Sequence, residues 1–297
     1  MIWCVGLNPA WDVTMALAPE RGPEGVRTAD WTDATPGGKA NNVARVVHQL
    51  GAAVTAVGLY GGITGEFVQK GLSEAGIPLL VGPIEEATRI CLTELDGARR
   101  REVRGRGPSV PPADAEALLE RLVKAVGPND LVALSGSVPP GLPTSTLAAW
   151  IAVLRPHTRF IALDAAGAAL AAGWPAGADL VVPNQSEYRA LGPTGKTPGP
   201  TWVVVTRGAA GLSWRHRDHW HRVPSPPADR VVNATGAGDA LLGGVLAALA
   251  QGASIPTALQ LGVAVATASV STRGVAVLPG RAAPDFRQAL HQLVAGD

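Results

Sequence analysis

The order of short apolar runs and amphipathic segments predicts an α/β fold, with a mostly parallel sheet covered by helices and a small β appendage. Three observations carry this. Strand-like and helix-like segments alternate from the first residues, which is the pattern of a parallel sheet. The alternation is broken by Thr88–Leu95 and Arg100–Val103, which flank Asp96-Gly97, a strong hairpin-turn dipeptide. It then resumes, with polar residues repeatedly placed at strand ends: Asp164, Asn184, Thr206. In open α/β sheets, ligands bind at those carboxyl ends.

The segments follow in order. Ile2–Leu7 is a short buried strand ended by Asn8-Pro9, and Trp11–Leu17 and Val26–Thr35 are further strands. Asn41–Leu50 is a helix with Val43, Val46, Val47 and Leu50 on one face, stopped by Gly51. Val54–Leu59 is a strand and Gly65–Ala75 a helix. The hairpin's outer strand carries arginines rather than an apolar face, so it is an appendage to the main sheet. Beyond it come a helix (Asp114–Val126), a strand (Asp130–Leu134), a helix (Pro143–Leu154), and strands at Phe160–Leu163, Leu180–Val182 and Trp202–Thr206. Gly211–Val223 reads as an exposed hairpin, and Asp239–Gln251 and Thr257–Ser271 as the last long helices. No internal repeat or linker divides the chain. One domain, 1–297, is expected, with β excursions at about 10–36 and 86–107.

Composition narrows the function. A net charge of +1, from 25 basic and 24 acidic residues, gives no reason to expect nucleic-acid or membrane-surface binding. No window approaches the ~20 apolar residues of a membrane span. The first residues lack the basic and apolar regions of a signal peptide. A soluble, cytoplasmic protein is expected. Cys4 and Cys91 lie in apolar runs and read as buried, inert thiols, without metal-ligand spacing.

The chemistry concentrates at Asn233-Ala-Thr-Gly-Ala-Gly-Asp239, a glycine-rich turn opening into a small-residue helix. Backbone N–H groups at such a turn attract anions. Asp239 stands where turn becomes helix, placed to accept a hydroxyl proton while the N–H groups hold a phosphoryl group. Phosphoryl transfer to an alcohol follows. Gly37-Gly38-Lys39 before a helix is either a flexible turn with a solvated lysine or a close backbone approach to an anion. Asn184 and Glu187 form either a capping box or a water-mediated Mg²⁺ site. Arg89 sits inside an apolar strand, which calls for an anionic partner, protein or ligand. The run Arg99, Arg100, Arg101 with Arg104 and Arg106 reads as solvated surface, and the six histidines as solvent-facing. Gly195-Lys196-Thr197 is no P-loop, since the required earlier glycine is Ala190. Gly58–Gly62 lacks the spacing of a dinucleotide fingerprint.

Thr235-Gly-Ala-Gly-Asp239 resembles the C-terminal signature of ribokinase-like sugar kinases, the phosphofructokinase B family, and Gly37–Gly51 resembles its N-terminal signature. The resemblance continues through Asn8–Asp12, Thr88-Arg-Ile90, Leu134–Gly141, Leu163-Asp164 and Asn184–Glu187, covering essentially the whole chain. Within the family it is nearest the 1-phosphofructokinase and tagatose-6-phosphate kinase branch. It implies a three-layer α/β/α sandwich with a small β-sheet lid, use of ATP and Mg²⁺, and a homodimer. By this resemblance Asp12 and Asn42 would bind sugar hydroxyls, with Gly37 and Gly38 beside them. Lys39, Arg89 and Ser137 would bind the sugar's phosphate. Asn184 and Glu187 would serve Mg²⁺ and nucleotide phosphates, and Thr206, Gly208 and Gly211 the nucleotide. Gly236, Ala237 and Gly238 would form the anion hole, with Asp239 as base.

Three departures from the branch stand out: Val182 where lysine is common, Ala40 for glycine, and Asn233-Ala234 for Asp-Thr. The implied reaction is phosphorylation of fructose 1-phosphate to fructose 1,6-bisphosphate. Tagatose 6-phosphate and fructose 6-phosphate are the next substrates. An unphosphorylated sugar or nucleoside is a competing reading, opposed by the Lys39–Arg89 pair. A non-catalytic sensor is another, opposed by the retained Asp239 and Glu187.

Overall fold

The computed structural model describes residues 1–97, 99–192, 199–280 and 282–295. The Gly195-Lys196-Thr197 segment lies outside the described residues. In chain order the elements begin with β1 (Ile2–Gly6), β2 (Ala10–Arg21), β3 (Arg27–Gly37), α1 (Lys39–Gln49), β4 (Val54–Gly61), α2 (Gly62–Glu74) and β5 (Leu79–Ile84). They continue with β6 (Arg89–Asp96), β7 (Arg99–Arg104), α3 (Pro112–Ala125), β8 (Leu131–Ser135), α4 (Thr146–Leu154), β9 (Phe160–Asp164) and α5 (Gly167–Gly173). The last are β10 (Leu180–Val181), α6 (Gln185–Ala190), β11 (Trp202–Thr206), β12 (Leu212–His216), β13 (His219–Val223), α7 (Ala237–Ala250), α8 (Ile255–Ser269) and α9 (Ala282–Ala295).

Nine strands form one sheet in the order β13-β12-β11-β10-β9-β8-β1-β4-β5. All neighbours from β11 to β5 are parallel, and β12 and β13 are added antiparallel at one edge. Alternate side chains enter different cores, as the two-residue period of a strand requires. Cys4, Ala56, Ala133 and Ala162 face the layer holding α1, α2, α7 and α8. Val5, Val57, Val132 and Ile161 face the layer of α3, α4 and α5. This is the mostly parallel α/β sandwich read from the sequence. Among the described residues no helix is long and apolar enough to cross a membrane.

A second sheet has the order β3-β2-β6-β7. Its outer pairs are antiparallel, but β2 and β6 run parallel, with Asp12 opposite Cys91. The cause is topological: β2 follows β1 and β6 follows β5, so both leave the carboxyl edge of the parallel sheet in the same direction. Trp11 of β2 packs on Phe67 of α2, ring centroids 5.7 Å apart, which anchors the small sheet to the large one.

The structure amends the sequence reading in four places. Strand β5 was not expected because Gly82-Pro83 interrupts its apolar run; it is an edge strand, where proline is tolerated. The short helix α5 and the helix α9 were also missed, so α8 is not the last long helix. The Gly211–Val223 hairpin is only half exposed, since β12 buries Leu212, Ser213 and Trp214 and β13 alone forms the edge. Its histidines are not simply solvent-facing. His216 stacks on Trp202 and His221 on Trp214, ring centroids 4.0 and 4.1 Å apart.

Candidate active site

The carboxyl ends of β8 to β11, the start of α1, the start of α7 and one face of the small sheet enclose a cleft of about 410 Å³. Helix α7 brings its first turn there because Gly243 and Gly244 let it pack closely on its neighbours. A Cβ on Gly243 would lie 2.7 Å from Val46 of α1, and one on Gly244 would lie 3.0 Å from Gly262 of α8. Bulkier residues would hold α7 away and withdraw Asp239 from α1.

At that turn Gly236 adopts φ 78°, a left-handed conformation that suits glycine, and a Cβ there would lie 2.7 Å from Val275. Gly236, Ala237, Gly238 and Asp239 all line the cleft. A Cβ on Gly238 would meet nothing within 4 Å, so the first turn of the helix borders open space. The first N–H groups of a helix have no partner within it, and here the Ala237 N–H turns back to Ala234 O at 3.3 Å. Thr235 Oγ1, beside them, is buried and has no hydrogen-bond partner among the described residues. An open helix start with an orphan hydroxyl fits a phosphoryl group.

Asp239 is buried, and its Oδ2 accepts a 2.7 Å hydrogen bond from Asn42 Nδ2. Burial pushes its carboxyl up to about 7; Lys39 and the Asn42 bond pull against this, and Asp164 and Asp12 add to it. A base poised near neutrality suits proton transfer from an alcohol. Lys39 begins α1, and its Nζ lies 2.7 Å from Asp164 Oδ1 at the end of β9. Burial opposes its charge, but Asp164, Asp239 and Glu187 outweigh that and hold its pKa above the usual lysine value.

Asp12 of β2 faces the same cleft. Burial raises its pKa, against a 3.3 Å hydrogen bond from Gly38 N and the charges of Arg45 and Arg89. Gly37 does not line the cleft but shapes it: a Cβ there would fall 2.1 Å from the Asp12 carboxyl group. Gly38, at φ 86°, lets the chain pass Pro9 at close range before α1 begins.

The sequence pattern of the pfkB family carbohydrate kinases matches residues 7–279. The chain belongs to this family. It is a sugar kinase, an enzyme that transfers phosphate to an alcohol group. Phosphofructokinase-2 from Escherichia coli in complex with potassium is similar to it, at 26% identity over 98% of this chain and 99% of that one, with a TM-score of 0.84. The same Escherichia coli enzyme in complex with fructose-6-phosphate matches at 26% identity, 98% and 99% coverage and a TM-score of 0.83. A Thermotoga maritima protein described as a possible 1-phosphofructokinase shares the fold, at 22% identity, 97% coverage of each chain and a TM-score of 0.81.

In this pfkB-family kinase the cleft gathers Asp12, Gly38, Lys39, Asn42, Arg89, Ser137, Asn184, Glu187, Thr206 and the Gly236–Asp239 turn. Gly208 and Gly211 lie outside its lining. They form a tight turn after β11, where Arg207 N donates to Gly211 O and a Cβ on Gly211 would strike Val223 O at 2.1 Å. The capping-box reading of α6 is realised: Asn184 Oδ1 accepts from the N–H groups of Ser186 and Glu187, and Glu187 Oε2 accepts from Asn184 N. Arg89 has protein partners, but they are backbone carbonyls rather than a carboxylate. It donates to Asn8 O at 2.9 Å and to Gly105 O at 3.1 Å, at the two crossings between the sheets.

Several cleft residues were not anticipated. Asp164, a strand-end residue in the sequence, is here the ion-pair partner of Lys39. Arg100, Glu102 and Arg104 of β7 border the cleft; the arginines stay exposed, as the surface reading expects, and Glu102 pairs with both Arg100 and Arg104. Alternation along β7 was the available signal, because it puts these three on one face. Cys91 also lines the cleft, half buried, so only Cys4 is the inert core thiol. Asn233, one of the departures, has a structural use: it donates to Arg273 O at 2.9 Å and accepts from Thr235 N, and an aspartate could not make the first bond.

Proposed function

We propose that this kinase transfers the γ-phosphoryl group of ATP to fructose 1-phosphate, giving fructose 1,6-bisphosphate and ADP. The observation that carries the reading is Asp239, held at the open start of α7 and facing a cleft whose lid side presents Arg89, Arg100 and Arg104. The sugar's 6-hydroxyl attacks the γ-phosphorus, its proton passes to Asp239, and the bond to the β-γ bridging oxygen breaks. The N–H groups of Gly236, Ala237 and Gly238 receive the developing phosphoryl charge. Asp12 and Asn42 orient hydroxyl groups, and Lys39, Arg89 and Ser137 serve the phosphate already on the sugar.

Mg²⁺ would neutralise the nucleotide phosphates. Among the described residues there is no cluster of three or more His, Cys, Asp or Glu that could hold a metal directly. Asn184 and Glu187 would reach the ion through water, since Mg²⁺ keeps much of its hydration shell. Thr206 lies toward the nucleotide, with Gly208 and Gly211 shaping the turn behind it. The small sheet acts as a lid that excludes competing water. Its exposed Ile90 and Val103 suit a homodimer of a cytoplasmic enzyme; the Escherichia coli phosphofructokinase-2 has a tetrameric inhibited form.

A second reading, fructose 6-phosphate as acceptor, is favoured by the Escherichia coli enzyme and its fructose-6-phosphate complex. It gives the same product, with the 1-hydroxyl attacking instead. A coupled assay across fructose 1-phosphate, fructose 6-phosphate, tagatose 6-phosphate and the free ketoses separates these. The highest kcat/KM is expected with fructose 1-phosphate. Arg89→Met should lower use of phosphorylated sugars by about tenfold to a hundredfold. Activity on free sugars should not fall in parallel. An unchanged ratio of phosphorylated to free sugar use in the folded variant would overturn the sugar-phosphate reading.

A further inference from the structure

Arg45 is an arginine in the wrong place for packing. It lies on α1, one turn beyond Asn42, and is only 8% exposed. Burial lowers its pKa, against the attraction of Asp12, Asp239 and Asp33. Its Nη2 donates to Asn42 Oδ1 at 2.8 Å and to Val275 O at 2.6 Å, while its Nε is buried without a partner among the described residues. A hydrophobic residue of similar volume would join α1 to the turn at Val275 without desolvating a charge, and such replacements are often neutral or stabilising. The guanidinium therefore invites a reason beyond packing.

The reason lies in the direction of a hydrogen-bond chain. A guanidinium only donates and a carboxylate only accepts. Asn42 stands between them and offers one of each. Arg45 takes the amide oxygen, so the amide nitrogen must point to Asp239, and it does so at 2.7 Å. Without Arg45 the amide is free to turn over and present oxygen to Asp239, an arrangement that favours the protonated carboxyl group.

We propose that Arg45 is a positioning residue for the base: it sets the direction of the Asn42 amide, which holds Asp239 Oδ2 and leaves Oδ1 to the substrate hydroxyl. This rests on the reading of Asp239 as base given above. The charged groups around Asp239 are Lys39 and Arg45 from α1, Asp12 from β2 and Asp164 from β9. Arg45 and Lys39 favour the ionised base; Asp12 and Asp164 oppose it.

The test is kcat against pH at saturating sugar phosphate and ATP, with thermal melts, for Arg45→Met, Arg45→Lys, Asn42→Ala, their double variants and Asp239→Asn. Arg45→Met should move the acid limb up by about one pH unit, so that kcat below the limb falls about tenfold. At alkaline pH the loss should shrink to less than about threefold, because the base is then ionised in either protein. Combined with Asn42→Ala, the shift should be less than the sum of the two single shifts. A loss equal at every pH, or additive shifts, would mean that Arg45 is a structural tie only. Should Arg45→Met fail to fold, Arg45→Lys decides, since it keeps the charge but not the fork. A limb shift that vanishes in the Asn42→Ala background supports the proposal, and no shift or equal shifts overturn it. Asp239→Asn separates the two levels: turnover retained there removes the base assignment itself, whereas an inactive Asp239→Asn beside an unmoved limb removes only the role of Arg45.

Discussion

Lys39 Nζ and Asp164 Oδ1 meet at 2.7 Å across the cleft, joining the start of α1 to the end of β9. The two act on Asp239 with opposite sign: Lys39 favours its ionised form and Asp164 disfavours it. Lys39→Met should therefore move the acid limb of kcat to higher pH, and Asp164→Asn should move it to lower pH. A pH–rate profile of each variant checks this. Shifts in the same direction would show that the pair does not tune the base.

Asp239→Asn removes the proposed proton acceptor while keeping the size of the side chain and an oxygen for Asn42. Turnover should fall by roughly 10²–10⁴, with ligand binding changed far less. The same change carries a stability signature. The Asp239 pKa rises from 3.8 to about 7 in the folded protein, so the folded state holds a proton that the unfolded chain releases. Its contribution to stability is full below pH ~4 and is lost as pH rises through ~7. Asp239→Asn should accordingly raise Tm at pH 8 and leave it nearly unchanged at pH 4. Melting curves at the two pH values test the sign.

Gly37→Ala places a methyl group 2.1 Å from the Asp12 carboxyl group, where Asp12 has no choice but to move. The backbone of Gly37 is in a strand, so the effect comes from the contact and not from a forbidden φ. Sugar-phosphate KM should rise by roughly tenfold or more, as expected for losing a hydrogen bond involving a charged group, while KM for ATP holds. Equal changes in both constants would indicate that the whole cleft has shifted.

Glu187→Gln distinguishes two uses of one carboxylate. Glutamine at this position can still accept from Asn184 N, so the unfolding free energy should stay within about 0.5 kcal/mol of wild type. If Glu187 also serves Mg²⁺, turnover at limiting metal should fall and the Mg²⁺ titration should move to higher concentration. An unmoved titration would leave Glu187 as a cap alone.

Local chemistry was enough to read the parallel sheet, the glycine turn before Asp239, the capping box at Asn184 and the hairpin at Asp96-Gly97. Each is written within a few consecutive residues: a period of two or 3.6, a glycine where φ must be positive, a side chain that bonds its own backbone. The strand β5 was hidden because Gly82-Pro83 looks like a breaker unless one knows that the strand lies at an edge. The partners within the cleft belong to another level. That Lys39 pairs with Asp164, that Arg89 grips two carbonyls, that Arg45 steers Asn42 toward Asp239 and that β7 borders the cleft all depend on segments far apart in the chain. Sequence specifies the residue types available for such bonds. Only the packing of α7 against α1 and the crossing of the two sheets decides which donor reaches which acceptor, because a hydrogen bond is made or lost over less than an ångström.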